Sequence, residues 1–236
     1  MLVSRPTRNS PPDTRIMINT RWCSTLSDVP ILPLSELCTH IAGLQPSAGA
    51  TRVVAIDGRA GSGKTVLAHR LAPLINAPIV HMDDIYPGWD GLGDAASKLA
   101  DWILEPLANG EPAAYPRYDW DHGRYGEQIT VPESDVVIVE GCASGSRRAA
   151  HLLSLLAWIE APRDVRMARG IARDGETFAP HWERWAAQED VLYEAERTRE
   201  RADLIVDGDP AVPHDPDTEV VTTRSFGNWP VSCSHA

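Results

Sequence analysis

Lysine is scarce in this chain. Of 22 basic residues among 236, only Lys64 and Lys98 are lysines, and the other 20 are arginines. Basic charge is short overall, since the formal net charge is -11 and no block of like cations stands out. Double-stranded DNA is thereby argued against as the main partner, because phosphate contacts along a duplex need clustered Lys and Arg. One anionic group on a small ligand stays allowed, since a few focused cations hold a single phosphate. Four cysteines, Cys23, Cys38, Cys142 and Cys233, lie too far apart for a CxxC pair. That spacing argues against a zinc knuckle or a disulfide framework and fits a reducing cytoplasm. No apolar run approaches the length of a membrane span, and the opening MLVSRPTRNSPPDTR lacks the apolar core of a signal peptide. The sequence reads as cytoplasmic, with neither nucleic acid nor membrane as partner.

What is present is enough for one α/β domain or at most two small ones: 43% of the residues are hydrophobic and 23% charged. Residues 1–30, rich in Pro, Ser, Thr and Arg, read as a flexible leader in which Met17 offers a second start. Residues 209–236 read as a C-terminal arm with no apolar period, which leaves 31–208 as the domain. Five short apolar runs in that domain read as buried strands: 53–56, 78–81, 136–139, 155–159 and 204–206. They are continuous rather than alternating, as in a parallel sheet covered on both faces. Helical patterns over 64–75, 94–107 and 180–199 separate them, so the expectation is a doubly wound α/β fold on a five-stranded parallel sheet. Ligands of such sheets sit beyond the carboxyl ends of the strands.

The first of those ends carries Gly58-Arg-Ala-Gly61-Ser-Gly63-Lys64-Thr65, a full GxxxxGK[ST]. Glycines let successive backbone N–H groups turn toward phosphate oxygens, and the helix that follows adds its positive N-terminus. Gly58, Ala60, Gly61, Ser62 and Gly63 are therefore candidate nucleotide-phosphate contacts. Lys64 is placed to reach the β/γ-phosphates and Thr65 to ligate Mg²⁺. The second end carries His81-Met-Asp83-Asp84-Ile-Tyr86. A carboxylate there faces the phosphate loop and could take a proton from an attacking hydroxyl, or hold Mg²⁺ through water. The third closes a hydrophobic run in Glu140-Gly141, a pattern that supplies a second metal-side carboxylate. After the fourth come Arg163, Arg166, Arg169 and Arg173, the last three on one helical face by their spacing. They read as mobile cations closing over a transferring phosphoryl group. Between the second and third ends, Tyr115 to Arg124 gathers aromatics, acids and His122. That segment could stack a base or grip sugar hydroxyls, or could be a surface hairpin with its aromatics packed inward. Trp182 and Trp185, three apart, read as core or lid packing.

In this order the pieces resemble the uridine–cytidine kinase and phosphoribulokinase-like branch of the P-loop (phosphate-loop) kinases, from about Arg52 to Gly208. The resemblance is carried by Asp83-x-x-Tyr86, Leu107-Ala-Asn-Gly110-Glu-Pro before Tyr118-Asp119-Trp120, Val139-Glu140-Gly141, Arg166-x-x-Arg169-x-x-x-Arg173-Asp174 and Ala202-Asp203-Leu-Ile-Val. It implies a three-layer P-loop kinase fold with an Arg-rich lid over about 163–185. It implies ATP and Mg²⁺, with Asp83 as base toward a sugar 5′-hydroxyl and Thr65, Asp83 and Glu140 around the metal. It further implies Lys64, Arg166, Arg169 and Arg173 at the transferred group, and Tyr86, Asp90, Tyr118, His122 and Arg124 with Asp83 at the acceptor. The chain departs from the pattern at Gly170, where the family's lid carries another Arg. It departs again in a short stretch between Tyr86 and Asp94, and by one residue fewer between Tyr118-Asp119 and His122.

The leading expectation is a kinase transferring the γ-phosphoryl group of ATP to a hydroxyl of a uridine- or cytidine-like nucleoside. A kinase of another small acceptor, such as a nucleoside monophosphate or a vitamin-like alcohol, is the second. A nucleotide-binding regulatory ATPase is the third, though a switch has no need of an acceptor base. A homo-oligomer stays open.

Overall fold

The structure is a computed structural model that describes residues 31–175 and 179–225. The expected leader, lid residues 176–178 and the end of the arm lie outside the described residues. In chain order the strands are β1 (Ile31–Pro33), β2 (Arg52–Asp57), β3 (Ile79–His81), β4 (Ala114–Asp119), β5 (Arg124–Thr130), β6 (Val136–Glu140), β7 (Leu155–Glu160), β8 (Leu204–Asp207) and β9 (Glu219–Arg224). The helices are α1 (Leu34–Gly43), α2 (Lys64–Ile75), α3 (Leu92–Leu99), α4 (Glu105–Ala108), α5 (Arg163–Asp174), α6 (Trp182–Glu196) and α7 (Thr198–Arg201).

All five anticipated strands form, and they pair in parallel in the order β3-β6-β2-β7-β8. The sheet nevertheless has seven strands, not five. β9 adds antiparallel to β8, and β1 adds antiparallel to β9. Both additions are drawn from segments that carry no sustained apolar run, and β1, three residues long, is the one that forms the sheet edge. β9 buries only Val220, Val221 and Thr222. Part of the expected arm is therefore a strand of the sheet, between β8 and β1.

Burial follows the two-residue period of the strands. Val54, Ile56, Val136 and Ile138 pack with α1 and α2 in one layer. Val53, Val137 and Val139 pack on the other side with α3 and Trp185 of α6. α2 begins where Gly63 takes a left-handed φ of 108° and ends at Asn76 (φ 50°). Leu67, Ala68, Leu71 and Ala72 form its buried stripe, each leucine contributing about 1.5–3 kcal/mol by leaving water. The helix expected over 94–107 is present but widens into a π turn at Ala100–Leu104. Pro106, two residues on, has no N–H to give to the ladder. β4 and β5 form a separate antiparallel hairpin. Among the described residues no helix is long and apolar enough to cross a membrane.

Candidate active site

β2 runs directly into the loop 58–63. Gly58 (φ 147°) and Gly61 (φ 78°) are needed twice over. Their backbones adopt angles that L side chains avoid, and a Cβ on either would stand 2.2 Å from the carbonyl oxygen of Ile159 or Arg166 respectively. The loop's N–H groups divide. Gly58 N–H donates to Asp57 Oδ1 (2.7 Å), Ala60 N–H to Glu189 Oε1 (2.6 Å) and Ser62 N–H to the Arg59 carbonyl (3.2 Å). The expected phosphate contacts at Gly58, Ala60 and Ser62 thus have their N–H groups turned to protein acceptors. Gly61, Gly63 and the first turn of α2 remain to present N–H groups to an anion.

Lys64 is buried, its ammonium donating to the Arg59 carbonyl at 3.0 Å. Burial opposes its charge, yet Cys142, Glu140, Glu189 and Asp57 around it hold its pKa above the usual lysine value. Glu140 is just as deep. The alternation of β6 turns its side chain, like that of Ile138, toward α2, where Thr65 Oγ1 donates to both its oxygens at 3.1 and 3.2 Å. β3 and β6 lie in register at His81 and Glu140, and His81 Nδ1 stands 2.7 Å from Glu140 Oε1. Burial would raise the pKa of Glu140, but His81, Lys64 and Thr65 together hold it below the usual carboxylate value. The hydrogen bond to Glu140 is in turn what raises the pKa of His81.

These groups open into a cavity of ≈ 620 Å³. Lys64, Thr65 and Glu140 line it together with Asp83, Asp84, Tyr86 and Arg173. Asp83 is exposed, in the 3₁₀ turn that follows β3. Its neighbour Asp84 is tied to Arg117 (3.3 Å) and accepts from Tyr115 (3.4 Å). Tyr86, Trp89, Trp120 and Trp185 supply an aromatic wall. Trp120 is brought there by the turn of the β4–β5 hairpin; it donates to the Asp83 carbonyl (2.9 Å) and lies 4.8 Å from Trp89, centroid to centroid. The segment Tyr115–Arg124 is therefore a hairpin that also offers one ring to the cavity. Tyr118 packs edge-on against Trp120 and Tyr125 behind that wall.

Four expected acceptor residues stand apart from the cavity lining: Tyr118, behind the wall, and three others. Asp90 forms an ion pair with Arg184. His122 turns back to Asp119 (2.8 Å). Arg124 is exposed on the hairpin beside Asp119. All three sit in or beside stretches where the sequence departs from the family pattern. The four arginines also separate. Arg163 pairs with Glu183, and Arg169 with Asp209 and the Gly208 carbonyl. Arg166 is buried beneath the loop, donating to the carbonyls of Ala161 (3.1 Å) and Ala60 (3.2 Å). This corrects the expectation of a mobile cation at Arg166: its guanidinium braces the loop backbone. Arg173 alone of the four lines the cavity.

Sequence reasoning assigned no role to Asp57, His81, Cys142, Glu189 or Tyr193. Glu189 is fully buried and accepts from Ala60, with Arg59 at 3.7 Å and Arg166 at 3.8 Å. The one available signal was an acid on the buried stripe with Trp182, Trp185, Ala186 and Tyr193.

No family model matches the chain. A uridine kinase of Borrelia duttonii is 26% identical over 178 residues, covering 66% of this chain and 85% of the relative. A uridine kinase of Brevibacillus brevis is 28% identical over 142 residues, 52% of this chain and 66% of the relative. The solved structure of a possible uridine kinase from Bacillus stearothermophilus matches with a TM-score of 0.54 at 21% identity, covering 73% of this chain and 96% of that one. That last likeness is one of fold. The relatives are of the kind that the order of motifs resembles.

Proposed function

We propose that the chain is an ATP-dependent small-molecule kinase that phosphorylates a hydroxyl of a nucleoside. The observation that carries this reading is a single cavity lined by Lys64 and Thr65 of the phosphate loop, the acid Glu140, the exposed carboxylate of Asp83 and a wall of four aromatic rings. Lys64 and the N–H groups of Gly61, Gly63 and α2 hold the nucleotide phosphates, and Arg173 meets the charge that grows on the transferring group. Asp83 takes the proton from the acceptor hydroxyl as its oxygen attacks. Tyr86, Trp89, Trp120 and Trp185 seat a flat acceptor and keep water from competing for the phosphoryl group.

Among the described residues no three His, Cys, Asp or Glu side chains gather into a metal cage. The oxygens of Thr65, Glu140 and Asp83 nevertheless suit Mg²⁺, which needs only one or two carboxylates when nucleotide phosphates complete its shell. When bound there, Mg²⁺ neutralises charge on the phosphates. The relatives named uridine kinase support the nucleoside assignment. So does the charge of the wall: the lysine and arginine that line the cavity, Lys64 and Arg173, both serve the donor. Arg117 is committed to Asp84 and Glu127, and His81 to Glu140, which leaves among the described residues of the lining no further Lys or Arg for the phosphate of a nucleoside monophosphate.

An ATP-consumption assay across nucleosides, nucleoside monophosphates and vitamin-like alcohols tests the reading. Turnover that depends on an added nucleoside is expected. Turnover only with a phosphorylated acceptor, or slow hydrolysis that no acceptor stimulates, overturns it, and the latter result points to a regulatory ATPase.

A further inference from the structure

The deepest carboxylate among the described residues has no part in the chemistry above. Asp57, the last residue of β2, is fully buried, yet it accepts three hydrogen bonds from three different parts of the chain. Oδ1 takes Gly58 N–H (2.7 Å) at the start of the phosphate loop and the hydroxyl of Tyr193 (2.7 Å) from α6. Oδ2 takes Gly145 N–H (2.9 Å) from the loop after β6. The same Tyr193 proton is shared with the Gly58 carbonyl (3.1 Å), and the ring packs edge-on against Trp158 of β7. No cation makes a direct ion pair with Asp57 among the described residues, although Lys64 and Arg201 act on it through space. The other titratable groups that feel its charge are Tyr193, Cys142 and Tyr86. A buried carboxylate satisfied only by neutral donors lowers stability when ionised. Such a group directly beneath the proposed phosphate loop points to a function.

We propose that Asp57, held by Tyr193, is a positioning residue for nucleotide binding, which ties the first turn of the phosphate loop to α6 and to the loop after β6 through the N–H groups of Gly58 and Gly145. Gly58 is pinned at both ends, its N–H on Asp57 and its carbonyl on Tyr193. The loop thus enters the site with its left-handed turns already set. Ionised Asp57 offers enough lone pairs for all three donors. Protonated Asp57 becomes a donor itself at one oxygen and loses the charge that strengthens all three bonds, so its hold on them weakens. Burial pushes this carboxyl up to about 6, against the Tyr193, Gly145 and Gly58 hydrogen bonds and Lys64. The loop is therefore set above that pH and loosened below it.

The inference rests on the nucleotide half of the proposed function and needs no acceptor. Calorimetric titration of Mg·ATP from pH 5 to 8 tests it on the full chain and on Tyr193→Phe and Asp57→Asn. The full chain should lose affinity as pH falls through about 6. Tyr193→Phe removes the donor that stabilises the ionised form, so its loss of affinity should begin at higher pH while the ring stays packed on Trp158. Asp57→Asn should bind on the order of tenfold more weakly at pH 7.5, since a hydrogen bond to a charged group is lost, and should show no step near pH 6. Tyr193→Phe keeps the test decisive if Asp57→Asn does not fold. Variants that melt earlier but bind Mg·ATP with the unaltered pH profile overturn the proposal, and a step common to all three proteins belongs to the nucleotide and overturns it equally. A full chain that binds no ATP overturns this proposal and the kinase reading together. Failure to find an acceptor bears on the kinase reading alone.

Discussion

Glu189 is the residue whose loss the structure prices most clearly. It is 1% exposed and is the acceptor for Ala60 N–H at 2.6 Å, with the Arg166 and Arg59 guanidinium groups at 3.8 and 3.7 Å. Glu189→Ala strands a loop N–H, leaves Arg166 as a buried cation without its carboxylate and opens a cavity under the phosphate loop. Breaking a buried ion pair from one side costs about 3–5 kcal/mol. The lower end applies here. Arg166 keeps the carbonyls of Ala161 and Ala60, and Arg59 keeps Asp190 at 2.6 Å. For a domain of this size 1 kcal/mol moves the melting midpoint by roughly 2–4 °C, so Glu189→Ala should melt about 6–12 °C early. Glu189→Gln keeps the volume and an acceptor for Ala60 but not the charge, and should lose about 1–3 kcal/mol. Arg166→Ala combined with Glu189→Ala should cost less than the sum of the two, because they share one interaction. Thermal unfolding followed by circular dichroism, with a denaturant titration to check two-state behaviour, measures all four. A Glu189→Ala protein that melts within about 1 °C of the parent would refute the reasoning, as would strict additivity with Arg166→Ala.

Asp83→Asn should lower kcat by about 10²–10⁴ with ATP still bound, whereas Asp84→Asn, which loses only its tie to Arg117 and Tyr115, should be far milder; steady-state rates at saturating acceptor compare them. Arg173→Ala should reduce kcat more than ATP affinity, while Arg169→Ala, whose partners are Gly208 and Asp209 on the surface, should leave both within a few-fold, as initial rates and ATP titrations will tell. Trp120→Ala should raise the acceptor KM by roughly tenfold through lost stacking, with the KM for ATP unmoved. His81 has its pKa raised above 6.5 by its hydrogen bond to Glu140. The stability it contributes is fully present below pH 6.5 and lost as pH rises through the raised value. Melting midpoints in EDTA should fall on raising the pH through that window, and His81→Gln should flatten that fall.

The five parallel strands were legible because each is a continuous apolar run, a local property of the chain. The phosphate loop was legible because glycine spacing and a lysine in a lysine-poor chain are local too. β1, at the sheet edge, and β9, between β1 and β8, were not, since each takes its order from pairing with a neighbour's backbone rather than from a continuous apolar run of its own. Asp90, His122 and Arg124 were assigned to the acceptor by the resemblance in stretches where the chain departs from it, and they stand away from the cavity lining. By itself, then, the sequence determined the layered α/β fold, the loop at the end of β2 and the acids at the ends of β3 and β6. Only the tertiary structure decided which groups meet there. The register of β3 on β6 sets His81 against Glu140, and the packing of α6 delivers Glu189 and Tyr193 to a loop some 130 residues earlier in the chain. Such contacts depend on the three-dimensional path of the backbone, and a single buried acid or tyrosine on a helix carries no periodicity that would announce its partner.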